Sequence, residues 1–101
     1  MGGISIVAKR LKEARLRAGV SQKQLGIKAG IDEFSASARI NQYERGKHMP
    51  DLQTLTRLAA VMHVPAPYFY CEDPELADFI LKFSALGRAQ RRRLLGSMHE
   101  A

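Results

Sequence analysis

Residues 39–55 read RINQYERGKHMPDLQTL. Ile40 and Tyr43 share one side of a helix there, and Arg39, Asn41, Gln42, Glu44 and Arg45 crowd around them. Gly46 stops the helix, two basic residues follow, and Pro50 and Asp51 open the next one, with Asp51 as its N-cap. At about 100° per residue, Ala36, Ile40 and Tyr43 point one way, while Ala38, Asn41, Gln42 and Arg45 point the other. Ser37 and Arg39 flank that outer arc, and Glu44 falls beside the apolar side. A merely solvated face mixes Glu with Lys, but this outer arc carries no acid. Its amides, hydroxyl, methyl and guanidinium groups are the ones that read DNA base edges. Asn and Gln pair with adenine, Arg pairs with guanine, and small side chains admit the thymine methyl.

The neighbouring segments also have helical spacing. Val7, Leu11 and Ala14, with Ala8 and Ala18, predict a helix from Ile4 to Ala18, closed by Gly19. Ser21 and Gln24 form a Ser-x-x-Gln capping box for a second helix, which buries Leu25 and Ala29 and ends at Gly30. Only Gly19, Val20 and Ser21 connect the two, so these helices cannot lie side by side along their full length. IDEFSASA, residues 31–38, is small and polar and has no clear period. The helix from Asp51 is expected to bury Leu52, Leu55, Leu58, Ala59 and Met62. PAPYFY, residues 65–70, forms a short turn that offers Phe69 and Tyr70 to the core. Asp73 and Pro74 begin another helix, with Leu76, Phe79, Ile80, Phe83 and Leu86 in one stripe. After Gly87, a last helix over Arg88–Met98 sets Leu94, Leu95 and Met98 on one side. No run alternates with period two. The fold class is therefore all-α, a five-helix unit with one or two more helices behind it.

A chain of 101 residues with 46% apolar and 26% charged residues has the make-up of one soluble domain with a short appendage. The boundary is placed at residues 1–71 and 72–101. The lone Cys71 excludes an internal disulfide. The N-terminus has no long apolar run, so neither a signal peptide nor a membrane span is expected, and the place of action is the bacterial cytoplasm or nucleoid. The net charge of +6 is unevenly spread. Residues 1–50 hold ten Lys and Arg against four acids, whereas residues 51–101 hold six of each. The excess lies in the half that contains the quoted stretch, which points to a polyanionic partner. Lys47, His48 and the start of the second helix, Gln22 and Lys23, are placed to hold phosphates that flank the bases.

Taken together, LKEARLRAGVSQKQLGIKAGI and INQYERGKHMPDLQTLTRLAAVMHVPAPYFY closely resemble the lambda-repressor/Cro-type helix-turn-helix family of bacterial and phage regulators. The combination is specific: Arg15, Gly19-x-Ser21-Gln22-x-x-Leu25, Ile40-x-x-Tyr43-Glu44-Arg45-Gly46, Pro50, Leu55, Leu58-Ala59 and Val64-Pro65. The resemblance covers residues 6–70 and implies that residues 35–45 are a recognition helix for the major groove. It further implies that Arg15 and Glu44 form the interior ion pair tying the first helix to the recognition helix. Gln22 matches the glutamine that clamps a phosphate and braces a recognition side chain, and Ser37, Ala38 and Gln42 match base-reading positions. Two features depart from the family. Several extra residues lie between Gly30 and Ile40, either as a longer turn or as a helix that starts early, near Asp32 or Ser35. Gly26 stands where the family prefers Ala, which close packing against the recognition helix would explain.

Nothing in the sequence points to catalysis. His48, His63 and His99 have no metal-ligand spacing, Cys71 has no evident base, and no glycine-rich phosphate loop is present. Neither a metal nor a cofactor is expected. The roughly 30 residues after Tyr70 leave little room for a small-molecule sensor domain. The stripe Leu76, Phe79, Ile80, Phe83 and Leu86 either closes the chain's own core or packs on a second copy, and a homodimer is the expectation. Arg88, Arg91, Arg92 and Arg93 are either a solvated face or a second phosphate-contacting patch. The expected function is a dimeric, sequence-specific regulator, a repressor, on double-stranded DNA with an inverted-repeat operator. A non-catalytic protein-interaction adaptor or antitoxin with the same fold is the alternative.

Overall fold

The computed structural model describes residues 5–99. The helices are α1 (Ile6–Ala18), α2 (Gln22–Lys28), α3 (Ala36–Glu44), α4 (Leu52–Met62), a 3-10 turn (Ala66–Tyr70), α5 (Pro74–Ala85) and α6 (Arg88–His99). The fold is all-α. The start expected at Ile4 lies outside the described residues, and Ser5 caps α1 by accepting from the Ala8 N–H at 3.2 Å.

Local chemistry sets each boundary. Gly19 takes φ 73 at the end of α1, a left-handed conformation that a Cβ would penalise. The capping box of α2 has both its arms: the Ser21 hydroxyl accepts from the Gln24 N–H at 3.0 Å, and the Gln24 amide accepts from the Ser21 N–H at 2.9 Å. Asp51 accepts from the Thr54 N–H at 2.7 Å and so caps α4. That bond holds the Asp51 carboxyl below its ordinary pKa, because it favours the ionised form. Residues 31–35 form a turn and α3 begins only at Ala36, so the extra residues before it lengthen the connection.

The core gathers Val7, Leu11, Leu25, Ile40, Leu55, Leu58 and Phe69 between α1, α2, α3, α4 and the 3-10 turn. Ala14, Ala29, Ala36, Tyr43, Ala59 and Met62 are buried as well. Three expectations fail. Ala18 is exposed, because the last turn of α1 runs beyond the elements it packs on. Leu52 is 66% exposed: it lies in the first turn of α4, ahead of the buried Thr54 and Leu55. Tyr70 is half exposed, and Tyr68 occupies the core in its place. Three residues per turn align Tyr70 with the exposed Pro67.

Gly26 has a packing reason. A Cβ built on it would meet the Cβ of Ala36 at 2.7 Å and the Ala36 backbone at 3.1 Å. The small residue lets α2 and α3 approach one another, and these two helices form the most extensive contact in the molecule.

The C-terminal pair attaches differently. Ala77 is the buried residue of α5, with Ile80 and Leu81 partly covered against the core. Leu76 and Phe79 are exposed. Among the described residues of α6 none is buried. Arg91 joins the two helices by donating to the carbonyls of Phe83 at 3.1 Å and Ser84 at 2.8 Å, so it satisfies the open end of α5. Its guanidinium also lies 5.0 Å from the centre of the Phe83 ring.

The junction between the two parts rests on a residue that sequence reading counted only as surface charge. Arg10 is 4% exposed. It donates to the Cys71 carbonyl at 2.9 Å, the Glu72 carbonyl at 3.1 Å and the Glu13 carboxylate at 2.9 Å, and it stands 5.7 Å from the Tyr68 ring centre. The Tyr68 hydroxyl donates to the same carboxylate at 3.3 Å. Burial, and then the negative charge of Glu13, push the Tyr68 pKa up. The sequence signal for Arg10 was its helical phase, next to the arc of Val7, Leu11 and Ala14.

Candidate nucleic-acid interface

Tyr43 and Ile40 anchor α3, and Glu44 lies buried beside them. A lone buried carboxylate would be costly. Here Arg15 of α1 grips it with two parallel bonds, Nε to Oε2 at 2.5 Å and Nη2 to Oε1 at 3.1 Å. The paired side chains are 12% and 3% exposed. The remaining Arg15 donor reaches the Val20 carbonyl at 3.1 Å, so the same guanidinium also holds the α1–α2 connection.

Gln22 extends this network. Its amide donates to Glu44 Oε1 at 3.1 Å and to Asn41 Oδ1 at 3.2 Å. Asn41 is therefore half-buried and engaged, rather than fully presented as its helical phase suggested. Among the described residues no buried side-chain nitrogen or oxygen lacks a partner. The underside of α3 is thus satisfied and fixed.

The other side of α3 is open. Ser37, Ala38, Arg39 and Arg45 are exposed and Gln42 is half-buried. The Arg39 guanidinium leans on the Tyr43 hydroxyl at 3.3 Å. Lys47 and His48 are exposed just past the end of α3, and Lys23 is exposed on α2. Of the ten bases in residues 1–50, Arg10 and Arg15 turn inward, whereas Lys9, Lys12, Arg17, Lys23, Lys28, Arg39, Arg45 and Lys47 face solvent.

Phe34 was missed by sequence reading. It is 92% exposed at the tip of the long turn, directly ahead of α3. The Asp32 side chain fixes that tip by accepting from the Phe34 N–H at 3.0 Å. An aromatic residue inside a polar, insertion-like segment was the available signal.

A helix-turn-helix family profile matches residues 11–69. The chain belongs to the lambda-repressor/Cro-type helix-turn-helix family of transcriptional regulators. It is 36% identical over 67 residues to the HTH-type transcriptional regulator ImmR of Bacillus subtilis (strain 168). That match takes in 66% of the chain and 50% of ImmR, so the chain spans about half the length of this curated relative. The crystal structure of the transcriptional regulator BswR superposes with a TM-score of 0.89 at 51% identity and covers 93% of each chain. In this helix-turn-helix protein the likeness to BswR thus takes in the C-terminal helices as well as the family segment. Among the described residues no group of three or more His, Cys, Asp and Glu stands together as a metal site. No helix there is long and apolar enough to cross a membrane.

Proposed function

We propose that the protein is a sequence-specific DNA-binding transcription repressor that performs no bond chemistry. It acts as a homodimer on an inverted-repeat operator. Residues 1–71 are the DNA-binding unit and residues 72–101 the dimerising extension. α3 enters the major groove. Ser37, Ala38, Gln42 and Arg45 meet base edges, Arg39 lies at the flank, and Asn41 acts chiefly through Gln22. Lys23, Lys47 and His48 hold phosphates, as does Gln22 from the start of α2. Phe34 adds an apolar contact at the tip of the reading head, suited to a thymine methyl. Two copies place their recognition helices in successive major grooves about 34 Å apart.

The observation that carries this reading is the two-sided character of α3. Its inner side is locked by the Arg15–Glu44–Gln22 network, and its outer side is acid-free and open. A rigid helix that presents such groups to solvent is organised for recognition, since its side chains need little further ordering on binding.

The test is selection of binding sites from a random duplex pool at two salt concentrations. The expected result is an enriched inverted repeat, bound more weakly at the higher salt. Salt-sensitive retention without enrichment would leave only a phosphate-gripping surface. No retention would overturn the reading in favour of a protein-binding adaptor.

A further inference from the structure

A cavity of about 450 Å³ opens between α1, the start of α2 and the end of α3. Arg15, Gln22, Asn41 and Glu44, the bracing network itself, all line it. Ala8 and Leu16 give it an apolar side, and the exposed Lys9, Lys12 and Arg45 give it cations. Both acids that line it are spent. Glu44 is held by Arg15, and Glu13 accepts from Arg10 and from the Tyr68 hydroxyl. Lys9, Lys12 and Arg45 form no ion pair among the described residues. The cavity is therefore electropositive and attracts anions.

The network also has donors to spare. Arginine carries five N–H groups. Arg15 uses three of its own, two on Glu44 and one on the Val20 carbonyl. Asn41 is engaged through its oxygen, which leaves its amide nitrogen uncommitted. That nitrogen is open to solvent, since among the described residues no buried side-chain nitrogen lacks a partner. The spare Arg15 and Asn41 donors match the two oxygens of a carboxylate. A bare anion would leave Leu16, 61% exposed, without a use. The volume lies within the range of about 300–1,000 Å³ that small-molecule sites occupy. We propose that this cavity is an effector site for a small monocarboxylate with an apolar body, and that its occupant competes with DNA. Competition follows from two shared side chains: Gln22 and Arg45 line the cavity, and the proposed function assigns them to a phosphate and a base edge. That part rests on the DNA-binding reading, whereas binding of the carboxylate does not. The sensor is built into the helix-turn-helix unit and requires no added domain.

The test titrates phenylbutyrate into the isotope-labelled full chain, followed by NMR without DNA. Resonances of Leu16, Gln22 and the Asn41 side-chain amide should move together. The dissociation constant should be on the order of 1 mM or below, for a ligand of about a dozen non-hydrogen atoms. Phenylbutanol lacks the charge and inorganic phosphate lacks the apolar body, so each should bind at least roughly fivefold more weakly. Leu16→Asn and Lys12→Glu stand at exposed positions outside the proposed DNA contacts. Each should weaken phenylbutyrate by about fivefold, and circular dichroism verifies that each folds. Inorganic phosphate binding as tightly as phenylbutyrate would make the cavity a mere phosphate seat and overturn the inference. Shifts confined to another surface, or none at about 10 mM, overturn it as well. Fluorescence anisotropy on the selected duplex, at matched ionic strength, then reads competition. At about ten times its dissociation constant, phenylbutyrate should weaken DNA binding by roughly tenfold in the parent and about threefold in Leu16→Asn. Undiminished DNA affinity with the cavity filled rules out the competition. A chain that selects no duplex removes the DNA-binding reading and the competition with it, while the titration still decides the carboxylate site.

Discussion

The helices of residues 6–71 and those of residues 74–99 have similar lengths and comparable shares of large apolar residues, yet they are held by different physics. In the first group nearly every apolar position at helical spacing is covered by its own chain. In the second, Ala77 is buried and the larger residues around it stay partly or wholly open. The ion pairs differ in the same way. Arg15–Glu44 is bidentate and enclosed, whereas Asp78–Lys82 spans one helical turn in full solvent, with side chains 57% and 77% exposed. Periodicity alone therefore does not tell a covered stripe from an open one; the neighbours available to cover each stripe do.

Substitutions should break or sharpen this contrast. The largest effect is expected at the enclosed pair. Arg15→Ala leaves Glu44 buried without its cation and should lower unfolding free energy by about 3–5 kcal/mol. The matching change Lys82→Ala should cost no more than about 0.5 kcal/mol. Urea titration of both variants measures the difference, and equal losses would contradict the buried-versus-exposed distinction. Phe69→Ala in the first group should cost about 3–5 kcal/mol. Phe79→Ala should leave stability at low protein concentration nearly unchanged and act instead on the concentration dependence of Tm.

Gly26→Ala sets two effects against one another. Helix propensity gains about 1 kcal/mol, while the clash with Ala36 costs about 1–3 kcal/mol. The clash involves backbone and a Cβ that cannot rotate away, so net destabilisation is expected in thermal denaturation. Adding Ala36→Gly should recover part of it; a fully stable Gly26→Ala protein would mean the helices can separate at little cost. At the interface, Gln42→Ala should lose roughly 1–3 kcal/mol at one base position, whereas Lys47→Ala should weaken all sequences alike and reduce the salt slope by about one. Phe34→Ala should weaken DNA binding without lowering Tm, because the ring covers nothing. The smallest effect concerns Asp51. Its pKa is lowered on folding, so its cap stabilises above the ordinary carboxylate value near 3.8, and that contribution fades as pH falls through the lowered value. The Tm difference between Asp51→Ala and the parent should therefore shrink in strong acid and persist at neutral pH.

Much of the first group was legible in the sequence because local rules and packing agreed there. The capping box, the Gly19 stop and the phase that set Glu44 beside Ile40 and Tyr43 each depend on residues close together in the chain. Leu52 and Tyr70 were misread because their spacing is right but their elements begin or end where cover runs out. Arg10 and Phe34 were missed for opposite reasons. A buried cation was counted as surface charge, and an exposed aromatic residue sat in a stretch without period. Gln22 marks a third limit: its bonds to Asn41 and Glu44 join residues 19 and 22 positions away, a distance no helical period spans, so its bracing role was implied by the family resemblance alone.

The grip of Arg10 on the start of the C-terminal segment decides which positions tolerate substitution. Two of its three hydrogen bonds go to main-chain carbonyls, of Cys71 and Glu72, and every amino acid supplies a carbonyl. The side chains at these positions can therefore drift without loosening the attachment, while position 10 cannot. The joint is indifferent to which side chains stand at positions 71 and 72, because the main chain alone meets the arginine there.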